Sequence, residues 1–314
     1  MIFDAHSDLW SDVAQRREQG ERNVLARCHL PAFRQGGVEG AVFALWADPV
    51  DGKDYVTATV RLLAAAKAEL AECAQVRLVK SLQDLRQARQ EETFYIVMGA
   101  EGMAAIGGEV SGIDWYYDHG VRWGMLSWNE ENLLATGVQG NAASGLTAAG
   151  RQAVRRMEEL GMVVDVSHLN DRSFWDVIHT AQGSVVASHS NCRKLCDVPR
   201  NLTDEQLRAI RDSGGVVGVN AYHGFVHKAA EKQTVEMLAR HAAHMIDVCG
   251  VEHVGCGFDF CQYLGPGNDS IPDMTGHHEA QRFLDCLTAM GLRGDEREKI
   301  ACGNWLRILE QVLR

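Results

Sequence analysis

Residues 1–8 read Met1-Ile2-Phe3-Asp4-Ala5-His6-Ser7-Asp8, an apolar start that runs directly into two metal-binding side chains. A strand's period of two points His6 and Asp8 to the same side, so both can reach one cation. The pattern recurs along the chain. Glu101 ends the run Phe94-Tyr95-Ile96-Val97-Met98-Gly99-Ala100, His168 follows Met162-Val163-Val164-Asp165-Val166-Ser167, and His189 follows Val185-Val186-Ala187-Ser188. His-x-Asp arises by chance, and a single buried histidine is commonly a hydrogen-bonded core residue. Four such segments together read as strand ends that converge on one centre. Imidazole and carboxylate suit Zn²⁺ or a similar divalent ion, and a carboxylate has two oxygens with which to bridge a pair of ions. Glu101 is the natural bridge.

Eight apolar, β-branched segments can be counted: 1–5, 40–46, 94–100, 122–127, 162–167, 184–188, 215–220 and 253–257. Helical patterns separate most of them, at 54–74, 147–160, 231–249 and 293–313. Thr203 and Gln206 make a capping box before Leu207-Arg208-Ala209-Ile210, with Gly214 as the stop, which sets a helix between the sixth and seventh strands. Strands alternating with helices imply a parallel sheet, and eight such units imply a (β/α)8 TIM-type barrel. His6, Glu101, His168, His189 and a further acid, Asp259, fall just after strands one, three, five, six and eight, where barrel enzymes carry their active sites. An open sheet would struggle to bring its first and eighth strands together.

The chain has 314 residues, 46% of them hydrophobic and 23% charged, with 5 prolines and no compositional break, so one barrel domain over 1–314 with a helical insertion around 9–37 is expected. Its 31 basic and 42 acidic residues leave a net charge of −11 with no basic cluster, which disfavours nucleic acid and anionic membranes as partners. No charged leader, long apolar leader segment or membrane-length run is visible, and a cytoplasmic location is expected. Nine scattered cysteines without a Cys-x-x-Cys pair read as reduced thiols, and Cys192 and Cys196, close to His189, as core or helix-face thiols.

With Glu101 as bridge, His6 and Asp8 complete one metal's ligands and His168 and His189 the other's. Two ions about 3.5–4 Å apart lower the pKa of a shared water and polarise a bound carbonyl, leaving a hydroxide poised to attack an amide. Amide cleavage also needs a group that takes the water's proton and returns it to the leaving amine, and Asp259 stands where that group should be. Arg200, in the loop after the sixth strand, could fork onto a substrate carboxylate, although a solvated surface arginine reads equally well. Asp4 shares the His6 side of the first strand, as a ligand or as a hydrogen-bonding support. His241 and His244 have helix-face spacing, and His277-His278 opens a helical pattern.

The motifs Asp4-Ala5-His6-Ser7-Asp8, Gly99-Ala100-Glu101-Gly102, Asp165-Val166-Ser167-His168 and Ser188-His189-Ser190 resemble those of the membrane dipeptidase metallopeptidases, and Gly120-Val121-Arg122, Pro199-Arg200-Asn201-Leu202, His253-Val254-Gly255 and Gly303-Asn304-Trp305-Leu306-Arg307 match in order. The resemblance covers nearly the whole chain and implies an amidohydrolase-type barrel with two Zn²⁺ ions on His6, Asp8, Glu101, His168 and His189. It further implies Asp259 as acid/base, Arg200 and Tyr222 as contacts to the substrate carboxylate, a small dipeptide as substrate with a D-residue tolerated at its C-terminal side, and a homodimer. Two positions depart from the family. Eukaryotic members carry a histidine where this chain has Trp128, so oxyanion stabilisation falls to the metal or to Asn129; the usual Asp-Phe-Asp-Gly is here Asp259-Phe260-Cys261-Gln262, which alters the pocket.

Other metal-dependent amidohydrolases, such as an N-acyl amino acid hydrolase, a lactonase or a deaminase, remain alternatives, as does a non-catalytic metal-binding relative. A mononuclear deaminase would show His-x-His at the first strand, and relatives bridged by a carboxylated lysine would need Lys after the fourth; His-x-Asp and Glu101 favour the dipeptidase. Nothing in the sequence separates Zn²⁺ from Mn²⁺ or Co²⁺.

Overall fold

The computed structural model describes residues 1–47 and 54–314. Among the described residues nine parallel strands form one sheet: β1 (Ile2–Ser7), β2 (Val38–Trp46), β3 (Val76–Leu78), β4 (Phe94–Glu101), β5 (Val121–Met125), β6 (Val163–Asp165), β7 (Val185–Val186), β8 (Val217–Val219) and β9 (Val254–Cys256). Eight of them run in the order β7-β6-β5-β4-β2-β1-β9-β8. The two end strands then meet: Ala187 bridges Val217, the Gly218 N–H donates to Ala187 O at 2.8 Å, and the Ala187 N–H donates to Val216 O at 3.0 Å. The result is the expected α/β barrel. β3 is the strand that the apolar pattern does not reveal. It pairs with the first half of β4, opposite Phe94 to Ile96, while β5 takes the second half. With three half-exposed residues it has no buried face to imprint on the sequence.

The helices start where their caps put them. Asp54 accepts from the Thr57 N–H and opens Tyr55–Glu72; Thr147 does the same for Ala148–Leu160, and the Thr203–Gln206 capping box opens Asp204–Asp212. Between β1 and β2 lie helices Leu9–Glu18 and Leu30–Gln35. The C-terminal pattern is broken into Gly294–Glu298, a wide turn at Lys299–Gly303, and Asn304–Val312. That break lets Asn304 donate to Val251 O and Val254 O, and Trp305 to Cys256 O, so the Gly-Asn-Trp motif anchors the last helix under β9. Among the described residues no helix is long and apolar enough to cross a membrane.

Two buried clusters fill the molecule. The larger packs the outward strand faces against the helices. The smaller collects Phe3, Ala5, Val42, Val97, Trp123 and Val186 with Trp305. Alternation along β2 and β4 puts Trp46 and Glu101 on the side of Val42 and Val97. On β1 alternation would set His6 opposite Phe3 and Ala5. The pairing with β2 shifts there, Asp4 opposing Ala41 and Ser7 opposing Phe43, so one extra residue enters β1. This bulge turns His6 toward Glu101, 3.5 Å away.

Candidate active site

All five candidate ligands and Asp259 come together at the C-terminal ends of the barrel strands. His6 Nε2 stands 3.5 Å from Asp8 Oδ2, 3.5 Å from Glu101 Oε1 and 3.8 Å from Asp259 Oδ1. Glu101 Oε1 is 2.7 Å from His168 Nε2 and 3.4 Å from His189 Nε2, and these two imidazole nitrogens are 2.9 Å apart. The His6 and His189 rings stack at 3.7 Å. Two overlapping sets, His6 with Glu101 and His189, and His6 with Asp8 and Asp259, each bring their ligand atoms within 4.8 Å of one another.

The supporting contacts leave the metal-facing atoms free. His168 Nδ1 is held by Asn129 Oδ1 at 2.9 Å, and His189 Nδ1 by Ser188 Oγ at 2.7 Å, so each ring is oriented through its far nitrogen. Both nitrogens of fully buried His6, and Asp8 Oδ1, have no hydrogen-bond partner. Buried polar atoms are seldom left so, and a Lewis acid accounts for them. The charges point the same way. Burial, reinforced by the Asp8 carboxylate, pushes Glu101 up to about 8. Burial opposes charge on His6, yet the Glu101 and Asp8 carboxylates hold its imidazolium well above the usual histidine range. Burial keeps His168 and His189 well below that range, in the neutral form that ligates metal. The residues fit divalent metal: N and O donors, buried, and short of positive charge.

His168 and Asp259 take left-handed backbone conformations, at φ 72° and 58°. Such strain in non-glycine residues gathers at functional sites. Asp259 is steadied by Asn220, whose Nδ2 donates to Asp259 Oδ2 at 2.9 Å, and Asn220 is itself clasped by Asn191. Neither asparagine stands out in a sequence motif, and the polar end of the apolar run 215–220 is the one local signal for Asn220. Asp4 proves to be bonded to the Phe258 N–H and to His277 Nε2, each through one oxygen, and it joins β1 to the β9 end. His277, left without a role in the sequence, is its partner. His241 and His244 lie on helix Val235–Cys249, His244 paired with Asp204 and His241 buried against Val226 O, and Cys192 is a core thiol bonded to His241 O.

A cavity of about 390 Å³ opens over this cluster, with Trp46, Trp128, Asn129, Tyr222, Phe225 and Cys261 in its wall. Trp46, which ends the apolar run 40–46 and belongs to no motif, packs against Trp128 at 5.4 Å between ring centroids. Arg200 is buried just behind the wall. Its guanidinium donates to His189 O and Ser190 Oγ and lies 5.4 Å from the Phe225 ring, while its Nε has no partner. Burial lowers it to about 10, so it stays charged at neutral pH.

A barrel with imidazoles and carboxylates gathered at its strand ends defines a metal-dependent hydrolase. Sequence comparison narrows the class: the family model for membrane dipeptidases (peptidase family M19) matches residues 1–314. The chain belongs to that family and is a metal-dependent dipeptidase. It is similar to the uncharacterized protein in the pqqA 5′ region of Klebsiella pneumoniae, 36% identical over 84% of this chain and 97% of that one. It is also similar to the dipeptidase tcpJ of Claviceps purpurea, 30% identical over 69% of this chain and 50% of the larger fungal protein. Among solved structures it resembles the metallopeptidase from Rhodobacter sphaeroides liganded with a phosphinate mimic of the dipeptide L-Ala-D-Ala, at 25% identity, a TM-score of 0.86 and 99% coverage of both chains.

Proposed function

We propose that the protein is a binuclear zinc dipeptidase that hydrolyses small dipeptides and accepts a D-residue at their C-terminal side. The observation that carries this reading is the Glu101 carboxylate, buried among three imidazoles with His168 Nε2 at 2.7 Å and His6 and His189 within 3.5 Å. His6 and Asp8 with Glu101 would hold one ion, and Glu101 with His168 and His189 the other. When bound, such a pair acidifies a water and polarises the scissile carbonyl.

The chain's own residues supply the rest. Asp259 takes the attacking water's proton and passes it to the leaving amine; Asn220 grips Oδ2 and leaves Oδ1 turned toward His6. Arg200, charged and carrying an unpaired Nε–H behind Phe225, reaches for the substrate carboxylate, and Tyr222 in the cavity wall assists it. Trp128 and Trp46 form an apolar wall that limits side-chain size. Asn129 spends its carbonyl on His168, which leaves its amide N–H groups for the developing oxyanion. The dipeptide mimic bound by the Rhodobacter sphaeroides neighbour carries a D-residue, which supports the same tolerance here.

The test is hydrolysis of paired L-L and L-D dipeptides by zinc-loaded protein, with metal counted by elemental analysis. Two zinc ions per chain and turnover of both series are expected, and Glu101→Gln should lose at least one ion and nearly all activity. Cleavage of L-L pairs alone would remove the D-residue claim; one ion at full activity would remove the binuclear one.

A further inference from the structure

Cys261 lies in the cavity wall and has no part in the reading above. Its Sγ stands 3.7 Å from Asp8 Oδ2 and 3.0 Å from Asp259 Oδ1. The same Asp8 oxygen is 3.5 Å from His6 Nε2. His6 is fully buried with both ring nitrogens unpartnered, and Asp8 Oδ1 is unpartnered too. One Asp8 oxygen therefore lies close to both an imidazole nitrogen and a sulfur.

The two separations from Asp8 Oδ2 match those between neighbouring donors in a coordination shell. Zinc bonds of about 2.0–2.1 Å to nitrogen or oxygen and about 2.3 Å to sulfur set tetrahedral neighbours about 3.3–3.7 Å apart. The Asp8–His6 and Asp8–Cys261 distances of 3.5 Å and 3.7 Å are of that size. The 3.0 Å contact with Asp259 is shorter and is a thiol-to-carboxylate hydrogen bond. It also offers an exit for the thiol proton, from Sγ to Asp259 Oδ1 and on to water.

We propose that Cys261 is a further metal donor in this chain, its thiolate joining His6 and Asp8 around one ion. The Sγ–H bond breaks as the Sγ–metal bond forms, with no change of oxidation state. This deepens the two-ion reading and rests on it. A sulfur donor makes the site softer than an all-nitrogen and oxygen set, so it biases the chain toward Zn²⁺, Co²⁺ and Cd²⁺ and away from Mn²⁺.

The experiment is titration of the metal-free full-length protein with Co²⁺, followed by absorption from the visible to the near ultraviolet. Wild type should show the visible bands of bound Co²⁺ together with a near-ultraviolet sulfur-to-cobalt charge-transfer band. Cys261→Ser should keep the visible bands and lose the charge-transfer band, and its preference for Cd²⁺ over Mn²⁺ in competition should fall by about tenfold or more. Cys261→Ala, read in parallel with circular dichroism, guards against loss of fold. Bound Co²⁺ without a charge-transfer band in wild type, or a band that survives in both variants, would overturn the proposal while leaving the two-ion reading standing. Co²⁺ uptake that is unchanged by His6→Ala and Glu101→Gln would overturn both.

Discussion

Glu101 sits among three imidazoles with Asp8 and Asp259 close by, and three of the surrounding side chains are aimed by a polar neighbour. Asn129 aims His168, Ser188 aims His189, and Asn220 aims Asp259. The left-handed backbone at His168 and Asp259 costs of order 1–3 kcal/mol each, and these contacts help offset it. Asp259→Asn should lower kcat by about 10²–10⁴-fold with metal content and KM little changed, as befits a proton carrier. Steady-state kinetics beside elemental analysis checks this; metal lost in proportion to rate would make Asp259 a ligand. At this scale the sequence was informative about identity and poor on geometry. His6, Asp8, Glu101, His168 and His189 follow apolar runs that mark strand ends. The bulge that turns His6 inward left no trace, because an inserted residue in β1 looks like any other.

Helix Leu9–Glu18 packs on helix Tyr55–Glu72 around one buried ion pair. Arg17 donates to Glu69 at 2.6 Å, and Glu69, fully buried, also accepts from the Leu25 N–H at 2.8 Å. Arg17→Met leaves that carboxylate buried without its cation, so a loss of about 3–5 kcal/mol in stability is expected, measured by urea unfolding; a loss below about 1 kcal/mol would mean that water or Leu25 suffices. Helix Val235–Cys249 carries a second buried group. His241 accepts from the Cys192 N–H and donates to Val226 O, and burial lowers it to about 4. Unfolded, the same imidazole titrates near 6.5, so the unfolded chain binds the extra proton between those values. Its contribution is complete above about pH 6.5 and fades as pH falls toward 4, by roughly 3 kcal/mol in total. Thermal midpoints of the metal-free protein should fall more steeply from pH 7 to 4.5 in wild type than in His241→Gln, and parallel curves would refute the assignment. Elements with a buried face and a capping residue were legible from sequence; β3 and the break at Lys299–Gly303 were not. β3 exists because β4 offers it an unpaired edge, and the break exists because Trp305 must reach Cys256.

The whole barrel depends on a narrow seam. β7 is two residues long, and its far end approaches β8 and β9 so closely that a Cβ on Gly218 or Gly257 would lie 1.9 Å or 1.7 Å from Ser188 O. Gly218→Ala must push this seam open at backbone, so about 3 kcal/mol or more of stability should be lost. Because Ser188 orients His189, metal affinity should fall as well; calorimetry with and without zinc measures both, and an unchanged melting temperature would show that the seam can yield. The expected eight units were legible because every barrel strand but β3's small addition leaves an apolar run in the sequence. What the sequence by itself determined was therefore the alternation of strand and helix, the caps, and the kinds of donor at the strand ends, all of which depend on residues near one another in the chain. Only the tertiary structure decided that Asp4 pairs with His277, that Asn220 and Asn129 brace Asp259 and His168, and that Trp46 and Cys261 face the same cavity. Those contacts join residues tens to hundreds of positions apart, and their partners are selected by the closure of the barrel, which no local pattern encodes.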